Sequence, residues 1–153
     1  MIREGDSVFR EVTIPDLPEL AHWFLERMKD YKVWLLKGEM GSGKTTLVKA
    51  IGNAAHVKDV MSSPTFAIVN EYERQNGTRF FHFDFYRIKD ETEAYDIGVD
   101  EYFYSGYPCF IEWPEKIPSL IPAVYAEVNL QVQDTTRRTI VISFHDGKEE
   151  NRV

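Results

Sequence analysis

The residues with the clearest chemistry are Gly38-Glu39-Met40-Gly41-Ser42-Gly43-Lys44-Thr45, a run of the form G-x-x-x-x-G-K-[ST]. Glycines let a backbone turn several N–H groups toward one anion, at the positive end of the helix that follows. In such a loop Gly38, Gly41 and Gly43 set the shape, while Glu39, Met40 and Ser42 contribute backbone. Lys44 reaches the β- and γ-phosphates, the Thr45 hydroxyl ligates magnesium, and Thr46 continues into the helix. The expected ligands are ATP and Mg2+. The plain alternative is a glycine-rich strand-to-helix turn with Lys44 as a solvated charge. The motif alone names no reaction, because kinases, GTPases, motors and switch ATPases share it.

A phosphate site of this kind needs a carboxylate at a neighbouring strand end, to hold magnesium and to orient the attacking water. Two acids follow apolar runs directly: Asp84 after Phe80-Phe81-His82-Phe83, and Glu112 after Cys109-Phe110-Ile111. Either could instead cap its strand end. His82, inside an aromatic strand, reads as a hydrogen-bonded structural histidine rather than a base. His22, His56 and His145 show no metal spacing with one another. Phe80, Phe81, Phe83, Phe85 and Tyr86 read as sheet packing rather than base stacking.

The elements that must position these residues are also legible. Residues 7 to 14 predict a strand, and Asp16 is an N-cap candidate for a helix whose buried stripe is Leu17, Leu20, Ala21, Phe24, Leu25 and Met28. Val33-Trp34-Leu35-Leu36 suits a buried strand feeding the glycine loop, with a helix from Thr45 to about Ala55. An extended segment bearing Phe66, Ile68, Asn70 and Tyr72 meets a return strand, Phe80 to Phe85, across Asn76-Gly77. Asp90 or Thr92 caps a short helix, and Tyr107 to Glu112 is another buried strand. Val124, Ala126, Val128, Leu130 and Val132 alternate with Tyr125, Glu127, Asn129 and Gln131 in a half-buried strand. It pairs with Thr139 to Phe144 across Asp134-Thr135-Thr136, and the tail from Asp146 is expected to fray. The sum is one α/β domain over residues 1–153, a three-layer P-loop NTPase fold with a mixed β-sheet flanked by helices.

Acidic residues outnumber basic ones 25 to 18, for a net charge of −7, so a nucleic-acid backbone finds little general attraction here. Cys109 is the only cysteine, which excludes an intrachain disulfide and a cysteine-rich zinc site and fits a reducing compartment. Met1 to Asp6 is charged where a signal peptide is apolar, and no run is long enough to span a bilayer. A cytoplasmic protein without membrane contact is expected.

Beyond the glycine loop, Ser63-Pro64-Thr65-Phe66, His82-Phe83-Asp84-Phe85-Tyr86-Arg87 and Glu112-Trp113-Pro114 occur in the order and approximate spacing of the TsaE (YjeE) family. The chain resembles these small bacterial P-loop ATPases of tRNA threonylcarbamoyladenosine modification from about residue 33 to 122. The resemblance implies that Thr45 and Glu112 are magnesium ligands, with Lys44 and the loop amides on the phosphates. It implies that Thr65 is a switch threonine sensing the γ-phosphate and Asp84 a water-orienting acid. Trp113 is similar to a family tryptophan beside the site, although its residue type alone reads equally as core. Adenine contacts are implied around Thr13 to Asp16 and near Arg137. The implied partners are the TsaD and TsaB proteins, with tRNA contacted mainly through them. The implied activity is Mg-dependent ATP hydrolysis acting as a switch. A small P-loop kinase lacks a convincing arginine-bearing lid, a GTPase lacks N-K-x-D, and Arg87 as an arginine in cis competes with a strand-end salt bridge. A nucleotide-sensing module with little hydrolysis remains the non-enzyme alternative.

Overall fold

The computed structural model describes residues 1–58 and 68–147. Its strands form an eight-stranded mixed sheet in the order β1-β2-β8-β7-β3-β6-β5-β4. These are β1 (Ile2–Glu4), β2 (Val8–Val12), β3 (Val33–Lys37), β4 (Val69–Glu73), β5 (Arg79–Asp84), β6 (Cys109–Glu112), β7 (Val124–Val132) and β8 (Arg138–Asp146). The centre, β7-β3-β6-β5, is parallel, and antiparallel strands flank it on both sides. Helices α1 (Leu17–Arg27) and α2 (Lys44–Ala54) complete one layer; short helices α3 (Glu91–Asp96) and α4 (Val99–Phe103) belong to the other.

Alternation along the central strands builds the two cores, because successive side chains point to opposite faces. Trp34, Leu36, Phe80, Phe110, Ala126, Val128 and Leu130 pack with Leu20, Ala21, Phe24, Leu47, Val48 and Ile51 of α1 and α2. Val33, Leu35, Phe81, Phe83, Cys109 and Ile111 pack with Ala94, Val99 and Phe103. Aromatic contacts run within the sheet, where Phe80 meets Phe110 at 5.8 Å, and between sheet and helix, where Phe24 of α1 meets Trp34 at 5.2 Å between ring centres. Truncating one of these buried rings to alanine costs about 3–5 kcal/mol.

The expected elements are present with a few corrections. The strand expected over residues 7 to 14 is β2 and ends at Val12, still paired with Arg138 after a register shift, because the chain turns at Thr13. Three residues, Ile14–Asp16, then form a single 3-10 turn. Asp16 Oδ2 accepts from Thr13 N and Thr13 Oγ1, both at 2.8 Å, so its side chain braces this entry rather than capping α1. The stripe of α1 is buried as expected except for half-buried Leu25, and Trp23 joins it. Strand β1 and helix α4 are additional elements. Phe66 and the tail from residue 148 lie outside the described residues. No helix among the described residues is long and apolar enough to cross a membrane.

Candidate functional site

Strand β3 runs into the loop Gly38–Gly43, and α2 begins at Lys44. Gly41 and Gly43 take φ of +81° and +105°, conformations that side chains rarely adopt, and this lets the chain reverse into the helix. Gly38 is required for closeness instead: a Cβ there would press on Ser42 Oγ and lie 2.9 Å from the Leu130 carbonyl oxygen. Inside the loop Ser42 N donates to Glu39 O at 3.0 Å. Ser42 Oγ is fully buried and has no hydrogen-bond partner among the described residues.

Lys44 is only 5% exposed. Its Nζ donates to Gly38 O at 2.6 Å and lies 3.9 Å from the centre of the Trp113 ring, a cation–π approach. Burial lowers the Lys44 pKa, with Glu112, Glu115 and Asp84 opposing that shift. Trp113 follows β6 directly at φ +60°, an uncommon conformation for a bulky residue, and Tyr86 packs on it at 5.1 Å.

The two acids come together through sheet register. In the parallel centre Leu36 lies opposite Glu112, and Glu112 opposite Asp84. Glu112 Oε2 accepts from Thr45 Oγ1 at 3.0 Å and is 2.5 Å from His82 Nε2. Asp84 Oδ1 accepts from Tyr86 N at 3.0 Å, and burial raises the pKa of its carboxyl. Lys44, Thr45, Asp84, Tyr86, Glu112 and Trp113 all border one opening of about 310 Å³. A lysine charge and a hydroxyl at the loop, with a carboxylate from β6, could hold a polyanion with a hard cation, whose ligands are oxygens.

A second, more apolar cavity of about 370 Å³ lies across the loop. Thr13, Ile14, Pro15 and Leu17 form one wall, Leu130, Thr136, Arg138 and Ile140 another, and Gly41, Gly43 and Thr46 are common to both cavities.

A family model described as threonylcarbamoyl adenosine biosynthesis protein TsaE matches residues 13–140. This chain belongs to the TsaE family. A relative from Bacillus subtilis (strain 168), described as tRNA threonylcarbamoyladenosine biosynthesis protein TsaE, is 32% identical over 118 residues, covering 77% of this chain and 73% of its own. A relative of the same description from Haemophilus influenzae is 37% identical over 112 residues, 71% of this chain and 68% of its own. The fold is also that of the crystal structure of Bacillus subtilis YdiB, with a TM-score of 0.68 at 23% identity, covering 94% of this chain and 88% of that one.

The part matched to TsaE begins at Thr13 and ends at Ile140, both on the walls of the apolar cavity. Thr13 and Thr46, both expected from the sequence to contact nucleotide, line this cavity. Arg137 does not line that cavity. It lies on the exposed turn, paired with Asp134 at 2.7 Å and Glu11 at 3.6 Å. Its neighbour Arg138 lines the cavity and donates to four backbone carbonyls: Ser42 and Asp134 at 2.8 Å, Arg137 at 3.1 Å and Gly41 at 3.3 Å. The period-two pattern that buries Ile140 and Ile142 also places Arg138 on the inner face, a signal available in the sequence. His82 beside Glu112 carries no such local signal. Arg87 is exposed, and Thr65, with Ser63, Pro64 and Phe66, lies outside the described residues.

Proposed function

We propose that this TsaE-family protein binds Mg–ATP across the glycine loop and hydrolyses it as a switch on partner proteins of tRNA threonylcarbamoyladenosine biosynthesis. The observation that carries the proposal is the hydrogen bond of 3.0 Å between Thr45 and Glu112, beside a buried Lys44 and at the mouth of the same opening. A hydroxyl at the start of α2 and a carboxylate from β6 have no packing reason to converge there, and both are oxygen donors suited to Mg2+.

The apolar cavity takes the adenine and ribose, with Thr13 and Arg138 at its walls rather than Arg137. The triphosphate runs over Gly41 and Gly43 toward Lys44. A magnesium ion held there would supply charge neutralisation for the phosphates. Thr45 and Glu112 hold it. Lys44 exchanges its bond to Gly38 O for phosphate oxygen, and Trp113 limits the directions its ammonium can take. Asp84, kept partly from water, orients the attacking water. Thr65 senses the γ-phosphate.

The output lies in partner proteins, TsaD and TsaB, with tRNA reached mainly through them; the net charge of −7 supports indirect contact. A single, fully buried thiol at Cys109 supports a cytoplasmic setting. The test is reconstituted tRNA modification with the two partners, comparing wild type, Lys44→Ala and Glu112→Ala. Wild type sustains multiple turnovers and both variants fail to. Equal turnover by all three proteins overturns the proposal, and phosphate transfer to a small metabolite without partners replaces it with a kinase.

A further inference from the structure

We propose that His82 is a positioning residue for the metal site: its imidazole N–H holds the Glu112 carboxylate in the orientation that a divalent cation requires. The inference rests on the nucleotide site proposed above and adds a group that no phosphate-loop motif includes.

The sheet geometry leads to His82 in two steps. Along β5, residues 80, 82 and 84 face α2 while 81 and 83 face the opposite core. Phe80 fills the first of these positions with a buried ring, and Asp84 ends the row at the phosphate opening. His82 lies between them at 1% exposure, where an apolar side chain would satisfy packing as well as Phe80 does. A buried imidazole is retained there at a cost unless it is hydrogen-bonded. Its partner is Glu112 Oε2, at 2.5 Å across to the neighbouring strand.

A carboxylate that ligates a cation only accepts hydrogen bonds, so the arrangement we propose is the tautomer in which Nε2 donates. The same Oε2 accepts from Thr45 Oγ1 at 3.0 Å. These two donors differ in what happens on cation binding. Thr45 is itself an expected ligand and sits on the first turn of α2, which must adjust to the nucleotide. His82 comes from the strand bed and, unlike Lys44 and Glu112, does not line the opening. It is therefore the restraint on Glu112 that persists in both states. Partners behind a metal ligand, holding it from outside the coordination sphere, typically change metal affinity by about 10–100-fold when removed.

The experiment separates metal affinity from nucleotide affinity in the full-length protein. Mn2+ serves as a paramagnetic probe, titrated into the protein–ADP complex and read by electron paramagnetic resonance; ADP affinity is measured separately in EDTA by calorimetry. His82→Leu keeps the buried volume and removes the donor, whereas His82→Gln keeps an N–H at a similar reach. The expected result is Mn2+ affinity weakened about 10–100-fold in His82→Leu, ADP affinity in EDTA within about twofold of wild type, and recovery of most of the Mn2+ affinity in His82→Gln. Wild-type Mn2+ affinity in His82→Leu overturns the proposal and leaves a packing histidine. Parallel loss of metal-free ADP binding in both variants also overturns it, assigning the residue to the fold. If wild type itself binds ADP but no Mn2+, the magnesium site fails and this inference with it. If it binds no ADP, the nucleotide site fails first.

Discussion

Arg137 and Arg138 are adjacent arginines whose removal should have very unequal consequences. Arg138 spans two pieces of backbone, donating to Ser42 O and Gly41 O in the glycine loop and to Asp134 O and Arg137 O in the β7–β8 turn. Hydrogen bonds from a charged donor contribute about 1.5–3 kcal/mol each when well formed. Two of the four are at 2.8 Å, and bonds made by one side chain are not additive. Counting only that pair at the low end gives about 3 kcal/mol for Arg138→Ala. For a domain of this size about 1 kcal/mol moves Tm by about 2–4 °C, so the expected fall is about 6–12 °C. Arg137 pairs with Asp134 and Glu11 at a site where its own side chain is 47% exposed, and such pairs are worth about 0–1 kcal/mol. Arg137→Ala should then melt within about 4 °C of wild type. Differential scanning calorimetry on the nucleotide-free proteins reads both. Calorimetric ADP titration adds a second contrast: a loosened loop weakens binding about tenfold in Arg138→Ala, equivalent to about 1.4 kcal/mol, and not in Arg137→Ala. Equal melting temperatures for the two variants would refute the latch.

Other consequences are open to simple measurement. Gly43→Ala meets only Leu130 Cδ2, at 3.9 Å, so its expected cost of about 1–3 kcal/mol comes from φ +105° alone, whereas Gly38→Ala drives a methyl against backbone and should lose more stability by urea melt. A milder Gly38 variant would show that the loop can spread. Burial raises the Asp84 pKa, so the native state holds that proton more tightly than the unfolded chain does. The stabilising contribution is present below the unfolded pKa and lost as pH climbs through the raised one. Asp84→Asn should therefore raise the nucleotide-free Tm near about pH 7 and lose that advantage toward about pH 3; a pH-independent difference would contradict this. Burial pushes the Cys109 thiol up to about 12. Ellman's reagent should leave the native protein unlabelled and titrate one thiol after denaturation, and rapid native labelling would reveal an opening of the β6 core.

The readability of this chain follows the range of the interactions involved. The glycine loop, the strand before it and the helix after it are contiguous, and each announces itself through local composition. Strand β7 was legible because it is half-buried over nine residues and so alternates. Strand β1 was not, since Ile2, Arg3 and Glu4 are all exposed and present no hydrophobic period to read. Helix α4 is five residues long, too short for its buried pair, Val99 and Phe103, to establish a repeat. Asp84 and Glu112 were found because each ends an apolar run, but their alignment depends on strand order. The contacts of His82 with Glu112, 30 residues away, and of Arg138 with Ser42, 96 residues away, depend on register across the sheet. No local pattern encodes that. The resemblance pointed to the turn near Arg137, and the pleat of β8 is what turns its neighbour Arg138 toward the glycine loop.

Register is also why the aromatic rows bear on function. Phe80, His82 and Asp84 share one face of β5, as Phe110 and Glu112 share the corresponding face of β6. A slip of one residue in β6 would turn Glu112 toward the core of Phe83 and Ile111 and put Ile111 or Trp113 at the place Glu112 holds beside Thr45. The carboxylate would then be buried without Thr45 or His82, at a cost of several kcal/mol. What opposes the slip is the packing of Phe110 against Phe80 and Trp34 on one face and of Ile111 with Phe83 on the other. The polar ends and the apolar rows therefore specify the same register. Because parallel strands align at their carboxyl ends, that register delivers Leu36, Glu112 and Asp84 to one edge, beside the loop that follows β3. The bulky cores on both faces of β5 and β6 are thus part of how the site is aimed, and a volume-changing substitution at Phe110 should disturb cation binding before it unfolds the domain.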